Sequence, residues 1–161
     1  WSKLGPQADA YWLVGQVGET IAAGGLSAVL RDYARFGQRY LDEGRNAVGE
    51  QLVPAEWVRA SITPDAPHLM PGRVSVDGFP AWGYGYQWWI PVNADDEFYA
   101  IGIYGQFIYV NRPARTVIVK TSAHRDFDND GVGGSLVEEE TIEMFRVIAA
   151  GLSDWKPKTA N

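Results

Sequence analysis

The sequence contains no cysteine, and this absence excludes disulfides, cysteine-ligated zinc and a cysteine nucleophile. It contains only two histidines, His68 and His124, which are too few for a multi-histidine metal site. No apolar run approaches the roughly 20 residues that cross a bilayer. The densest apolar stretches, such as residues 107–110 and 116–119, are only as long as strands. We therefore expect no membrane partner, and no sequence signal assigns a compartment.

Positive charge is also scarce. There are 14 lysines and arginines against 20 aspartates and glutamates, so the net charge is −6, and the basic residues are scattered along the chain. A nucleic-acid partner requires a clustered basic surface that meets phosphates. We therefore expect no nucleic acid to bind.

The residues that are present describe a globular chain. Its 161 residues correspond to about one domain, and 46% of them are hydrophobic. The first residue is Trp1 rather than Met, so we expect the chain either to begin inside a longer protein or to have a processed start. We interpret residues 1–161 as a single partial domain whose residues 153–161 form a polar tail.

Apolar periodicity predicts three helices. Ser27 is the candidate N-cap of the first helix, which Gly44 ends. The second helix begins at Pro54, because proline suits a first turn, and it stops before Pro64.

The last predicted helix begins at Ser135, which forms a capping box with Glu138. Its apolar positions make one face: Ile142, Phe145, Ile148, Ala149 and Leu152.

Between the second and third helices the pattern changes to strands. The predicted strands are residues 84–90, 97–103, 107–111 and 116–121. Short links make such strands antiparallel neighbours. The predicted fold class is α+β, with an antiparallel sheet of three to four strands packed with a C-terminal helix. One face of this sheet needs further cover, which we expect from a part of the protein outside this chain.

Three stretches together resemble one family. The first combines residues 22–28 (AAGGLSA) with residues 32–37 (DYARFG), the second is residues 83–89 (GYGYQWW), and the third is residues 100–110 (AIGIYGQFIYV). In this order they resemble segments of the β-lactamase/transpeptidase-like serine hydrolases. Within that superfamily they are most similar to the 6-aminohexanoate-dimer (nylon oligomer) hydrolases and related esterases.

The resemblance implies the C-terminal portion of that fold and an acyl-enzyme mechanism without a cofactor. In such enzymes a Ser-x-x-Lys motif and an assisting tyrosine come early in the chain, so both are expected outside this one. A third motif, often Lys-Thr-Gly or His-x-Gly, corresponds here to residues 100–102, where alanine replaces the charged residue. A penicillin-type β-lactam is therefore not the expected substrate, because no charge in this motif would meet its carboxylate.

The same resemblance assigns roles around the third stretch. The backbone N–H of Ile103 is expected to donate to the oxyanion, as acyl transfer requires. Ile101, Gly102 and Tyr104 are expected to contact substrate, and the small Gly102 would allow a close approach. Taken without the resemblance, Gly102 also fits an ordinary strand glycine or a bulge.

Aromatic residues make up 13% of the chain, with 7 tryptophans, 8 tyrosines and 6 phenylalanines. One interpretation is a core built from large rings, and the other is a cleft lined by them. Trp82 and Tyr84 lie in a glycine-rich stretch, where they either wall the acyl side of a pocket or fill the core.

Three matches to catalytic motifs within the chain are set aside. Residues 153–156 (SDWK) lie in the polar tail, where no pocket would lower the pKa of the lysine. Residues 109–111 (YVN) end a strand, and Tyr109 is interpreted as a packing residue. Residues 120–122 (KTS) end the strand after the favoured one, so their register is wrong.

Residues 126–131 (DFDNDG) match the start of a calcium loop. Its twelfth position, which requires an acid, is Val137, and a strand rather than a helix precedes it. We therefore predict no metal site. The segment is interpreted as a solvated loop, or, by the resemblance, as a loop at the mouth of the cleft where Asp128 attracts a substrate amino group.

The sequence thus predicts the C-terminal portion of a serine hydrolase that acts on a small ester or amide. Its nucleophile would come from the missing N-terminal part of the same protein, linked or as a separate chain, and this chain alone would be inactive.

Two alternatives remain open. One is an aromatic-rich carbohydrate- or ligand-binding module that stacks sugars on Trp82, Trp88 and Trp89, although its helical first third is unlike such mostly all-β modules. The other is a fragment that folds only as a dimer through its exposed sheet.

Overall fold

One antiparallel sheet with helices on its two faces organises the chain. A computed structural model describes residues 1–21, 24–72, 82–92, 94–125, 127 and 133–153, without the side chains of residues 133–136 and 153. The α-helices within these ranges are α1 (Leu30–Leu41), α2 (Ala55–Ser61) and α3 (Gly133–Ser153). The strands are β1 (Tyr11–Trp12), β2 (Leu26–Ser27), β3 (Gly83–Tyr84), β4 (Trp89–Ile90), β5 (Glu97–Gly102), β6 (Gln106–Asn111) and β7 (Thr116–Lys120).

The main sheet has the order β3-β4-β5-β6-β7, and every neighbouring pair is antiparallel. The predicted α+β class and the packing of a C-terminal helix on an antiparallel sheet are confirmed. The sheet has five strands rather than three or four. A separate antiparallel pair, β1 with β2, lies in the first part of the chain.

The extra strand arises because residues 84–90 form a hairpin and not one strand. Gln87 has a φ of 68°, and the chain reverses so that Tyr84 pairs with Trp89. Gly85 lies against α2, since a Cβ atom at this position would come within 1.9 Å of the Ser61 carbonyl oxygen. Only glycine permits this approach, and the aromatic run could not reveal it.

The alternation of side chains along β5 and β6 divides the core into two clusters. Tyr99, Phe107 and Tyr109 point to one face, where they pack with Ile142 and Phe145 of α3.

The opposite face holds a second cluster of Leu41, Trp88, Ile90, Phe98 and Val110. Here α1 packs on β6 and β7. A Cβ atom at Gly37 would meet Val117 Cγ1 at 2.8 Å, so glycine sets the close approach of this helix to the sheet. The cover that we expected from outside the chain is therefore supplied on this face by α1.

Two helix starts differ from prediction. Ser27 lies in β2, and Val29 is the N-cap of α1, so the prediction of Ser27 as N-cap was wrong. Gly44 has a φ of 84° and donates from its N–H to the Arg39 carbonyl oxygen at 2.7 Å, which closes the helix end as predicted. Helix α2 follows Pro54, also as predicted.

Helix α3 begins at Gly133, so Ser135 lies inside it and the predicted capping box with Glu138 was wrong. Its side chains Ile142, Phe145 and Ala149 are buried, whereas Ile148 and Leu152 are 41% and 49% exposed. The apolar residues of α3 therefore do not form one buried face. In the described part of the chain, no helix has the length and apolar character that a bilayer crossing needs.

Candidate active site

The turn between β5 and β6 lies at the end of the strand that the sequence singled out. Gly102 pairs with Gln106, so three residues, 103–105, link the two strands. Two of them, Tyr104 and Gly105, have positive φ values of 63° and 79°. Positive φ is uncommon for a residue other than glycine. Tyr104 is therefore held in a specific conformation by its surroundings.

The end of β7 and the segment after it hold this turn in place. The side-chain amide of Gln106 accepts from the Ser122 N–H at 3.2 Å and donates to the Ser122 carbonyl oxygen. Lys120 Nζ donates to the Gly105 carbonyl oxygen at 3.3 Å and lies 5.3 Å from the centroid of the Phe107 ring. The KTS stretch, which was set aside as a catalytic motif, thus supports the turn.

The backbone N–H of Ile103, at the start of the turn, takes no part in anchoring it. The His124 N–H donates to the Tyr104 carbonyl oxygen at 3.1 Å. None of these anchoring contacts uses the N–H of Ile103, whose residue is 63% exposed. The donor proposed for the oxyanion is therefore next to a fixed turn and is not engaged in fixing it.

A cavity of about 300 Å³ lies beside this turn. Its described lining residues are Trp82, Trp89, Ile101, Gly102, Ile103, Gly105, Phe127 and Glu138. Four residues that the sequence assigned to the site, Trp82, Ile101, Gly102 and Ile103, meet here although residues 82 and 101–103 are distant in sequence. We call this space the turn cavity.

The other predicted residues lie further away. The ring of Tyr84 packs on Trp89 with a centroid distance of 4.7 Å, and the ring of Tyr104 packs on Phe127 at 4.4 Å. Tyr84 and Tyr104 thus do not line the cavity themselves, and each packs against an aromatic ring that does. Asp128 lies outside the described residues.

Gly102 has a neighbour within the sheet itself. A Cβ atom there would meet Gln106 Cβ at 3.1 Å and Cγ at 3.3 Å. The missing side chain therefore also makes room for the glutamine that anchors the turn.

Four lining residues were not assigned to the active site by sequence: Trp89, Gly105, Phe127 and Glu138. Trp89 belongs to the GYGYQWW stretch and could have been found there. Glu138 was assigned to a cap, and it instead contributes a partly buried carboxyl group to the cavity. Burial raises the pKa of Glu138 above its ordinary value.

Trp82 also lines a second cavity of about 230 Å³, between α3 and β5. Tyr99 and Arg146 line it as well. The Tyr99 hydroxyl is buried and has no hydrogen-bond partner, and burial raises its pKa.

A charged network closes this side of the core. Tyr109 donates to Glu97 Oε2 at 2.6 Å, and Arg146 Nε donates to Glu97 Oε1 at 2.7 Å. Burial would lower the pKa of Arg146, but its hydrogen bonds to Glu97 and Glu143 outweigh that effect and the pKa is raised. Glu97 is 6% exposed, so this network fixes the start of β5 against α3.

No group of three or more potential metal-binding side chains (His, Cys, Asp or Glu) that could hold an ion occurs among the described residues. The calcium-like stretch lies outside them, apart from Phe127.

The sequence profile of the Beta-lactamase family matches residues 1–139, which is most of the chain. The chain belongs to the Beta-lactamase family. It is 35% identical over 128 residues to a 6-aminohexanoate-dimer hydrolase of Paenarthrobacter ureafaciens, with 80% of this chain and 32% of that protein covered.

A solved structure agrees with this membership of the Beta-lactamase family. A proposed 6-aminohexanoate-dimer hydrolase from Bacillus anthracis superposes with a TM-score of 0.75 at 28% identity. The match covers 98% of this chain and 37% of that one. The chain thus spans about a third of the length of both relatives, and the predicted resemblance and partial fold are confirmed.

Proposed function

We propose that this chain forms one wall of a serine hydrolase that cleaves a small ester or amide through an acyl-enzyme. Membership of the Beta-lactamase family and the names of the two relatives support this proposal. The observation that carries it is the turn cavity, where residues 101–103 meet aromatic side chains beside an anchored turn.

In this proposal the Ile103 N–H donates to the oxyanion. Acyl transfer needs donors about 3 Å from the developing charge, and they act best when they do not have to reorganise. The contacts of Tyr104, Gly105 and Gln106 with the end of β7 and the segment after it supply that rigidity.

We place the nucleophile and its base outside these 161 residues. Ser61, a serine of α2, donates its hydroxyl proton to the Trp57 carbonyl oxygen at 2.7 Å. A serine that donates to a carbonyl oxygen and is 0% exposed is not activated for attack. Because the Ser-x-x-Lys motif is expected outside this chain, the chain alone is expected to be inactive.

The partner in this proposal is the remaining part of the same protein, linked or separate. Strand β7 is last in the sheet order, so one of its edges has no strand beside it among the described residues. Helix α3 exposes apolar side chains that could pack on a partner: Met144, Val147, Ile148 and Leu152. An unpaired strand edge and an exposed apolar helix face are each surfaces that another segment can cover.

The burial of Trp88 weakens the carbohydrate-binding alternative. Trp88 is 2% exposed, and its ring packs against Tyr40 and Phe98 at centroid distances of 4.5 Å and 5.0 Å. A sugar cannot stack on this ring.

The test is hydrolysis of p-nitrophenyl acetate by the chain joined to an N-terminal part that carries the Ser-x-x-Lys motif. We expect turnover that a serine-directed phosphonate abolishes, and no turnover by this chain alone. Ile103→Pro removes one N–H and should lower kcat by about 10²- to 10³-fold, because an oxyanion donor is lost.

Ile103→Val is the matched control, since it keeps the N–H and changes only an exposed side chain. It should retain kcat within a few-fold. Equal losses in both variants, with both folded by circular dichroism, would remove the oxyanion role from Ile103. Phosphonate-sensitive turnover by this chain alone would instead place the nucleophile within it.

A further inference from the structure

Gln106 joins the start of β6 to the segment after β7 through both ends of its side-chain amide. Its Oε1 accepts from the Ser122 N–H at 3.2 Å, and its Nε2 donates to the Ser122 carbonyl oxygen. Two hydrogen bonds to one residue fix the direction of the amide plane as well as its position. We call this contact the amide clamp, and it ties the end of the β5–β6 turn to a residue 16 positions further along the chain.

Gly102 lies directly across the sheet from this glutamine. The two residues are partners in the β5–β6 register. A Cβ atom at Gly102 would meet Gln106 Cβ at 3.1 Å and Cγ at 3.3 Å. Gly102 is not among the glycines with positive φ, so its backbone conformation does not require glycine. The contact that favours a residue without a side chain here is the one with Gln106.

The proposed oxyanion donor lies within the span that this pair encloses. Ile103 follows Gly102 directly, and its N–H is not engaged in anchoring the turn, so its direction is set by the residues on either side. The amide clamp holds one end of that span. A displacement of about 1 Å caused by a change away from the reacting atoms can cost as much as 10²-fold in rate.

We propose that Gln106 is a positioning residue for acyl transfer, which holds the Ile103 N–H in place through the amide clamp, and that the bare backbone of Gly102 makes room for its side chain. This inference rests on the proposed function, because the atom that is positioned is the oxyanion donor. Gln106 acts through the turn and does not need to contact substrate. Gly102 then serves the turn rather than the approach of substrate.

The experiment compares Gln106→Met with wild type in the joined protein. Methionine has nearly the same length as glutamine and removes both hydrogen bonds of the amide clamp. Gln38→Met is the matched control, because Gln38 is also half-buried and its amide donates to Asp42 Oδ2 at 2.9 Å within α1 and its end. Hydrolysis of p-nitrophenyl acetate is measured, and titration with the phosphonate gives the concentration of competent enzyme.

Gln106→Met should lower kcat about tenfold and leave KM within about twofold, because donor position matters most in the transition state. Gln38→Met should leave both constants unchanged. A change confined to KM, equal losses in the two variants, or wild-type kcat in Gln106→Met would each overturn the inference. Gln106→Asn, which keeps the amide but shortens its reach, takes the place of Gln106→Met if the latter does not fold.

A double-variant cycle tests the role of Gly102. Gly102→Ala should lower kcat by displacing the Gln106 side chain. Combined with Gln106→Met, it should cause no further loss, because the amide clamp is already absent. Additive losses, or a rise in KM in Gly102→Ala alone, would assign Gly102 to the approach of substrate and overturn its part of the inference.

Hydrogen exchange separates this inference from the proposed function. The His124 N–H donates to the Tyr104 carbonyl oxygen at 3.1 Å, so its exchange rate in the joined protein reports whether the turn is held. We expect about tenfold faster exchange at this N–H in Gln106→Met and no change in Gln38→Met. Faster exchange in a protein whose wild type has no turnover would overturn the hydrolase function and leave the holding of the turn by Gln106 standing. Unchanged exchange with normal turnover would overturn the inference and leave the hydrolase function standing.

Discussion

The two faces of the sheet differ in how completely they are packed. On the face toward α1, Trp88 lies among Tyr40, Phe98 and Leu41, and this aromatic cluster is closed. The face toward α3 has the Tyr99 hydroxyl without a partner and two cavities that share Trp82.

Adjacent tryptophans make this difference clear. Trp88 and Trp89 follow each other in β4 and its approach, so they point to opposite faces. Trp88 is buried in the closed cluster, whereas Trp89 lines the turn cavity. The α1 face therefore stabilises the fold, and the α3 face has the open space and charge that binding needs.

The largest predicted effect is the difference in stability between alanine variants of these two tryptophans. Trp88→Ala removes a fully packed ring and should lower the free energy of unfolding by about 3–5 kcal/mol. Trp89→Ala removes a half-buried ring and should lower it by roughly half as much, because less surface is exposed to water on truncation. Urea denaturation of both variants measures the difference.

Turnover sharpens the same comparison. In the joined protein, Trp89→Ala should lower kcat/KM for p-nitrophenyl acetate, because the variant removes a ring from the turn cavity. If Trp89→Ala destabilised the chain as much as Trp88→Ala does, the two faces would not differ in packing as the structure indicates.

An intermediate effect is expected at the charged network on the α3 face. Glu97→Ala leaves Arg146 and the Tyr109 hydroxyl without their shared acceptor, and the free energy of unfolding should fall by about 2–3 kcal/mol. Glu143→Ala removes an exposed partner of the same arginine and should change it by less than about 1 kcal/mol. Thermal unfolding of the two variants at one pH tests this order, and similar losses would contradict it.

The smallest effect concerns Glu138 and has the opposite sign. Because burial raises its pKa in the folded chain, its contribution to stability is most favourable below the ordinary pKa and is lost as pH rises through the folded pKa. Glu138→Gln should therefore raise the free energy of unfolding at pH 7, by less than about 1 kcal/mol because the carboxylate keeps some contact with water.

Unfolding curves from pH 4 to pH 7 test this sign. The advantage of Glu138→Gln over wild type should grow with pH, whereas Glu140→Gln should follow wild type throughout. A loss of stability at pH 7 would mean that the carboxylate has a favourable partner in the fold.

Much of the α3 face was predictable from the sequence because its signals are local. Strands β5, β6 and β7 were predicted within one residue of each end, since apolar alternation and the Tyr104-Gly105 turn mark them directly. The placement of Trp82 and residues 101–103 around one site came from the family resemblance. The turn cavity brings these residues together, and their catalytic roles stay predictions.

Other features depended on contacts that are distant in sequence. The aromatic run 84–90 carries the composition of one strand, and it becomes a hairpin because Gly85 packs against the end of α2. Glu138 carries the sequence signature of a helix cap. It lines a cavity because α3 begins earlier and packs across the sheet.

The sequence by itself determined the family, the α+β class, the three long strands and the absence of cysteine chemistry. Composition, periodicity and motif order depend only on which residues occur and how they are spaced along the chain. Only the tertiary structure decided which tryptophan is core and which lines a cavity, that α1 covers the second face, and that one of three consecutive glutamates enters the site. These outcomes depend on how elements distant in sequence pack, and the energy of a carboxylate or a ring is set by the neighbours that packing provides.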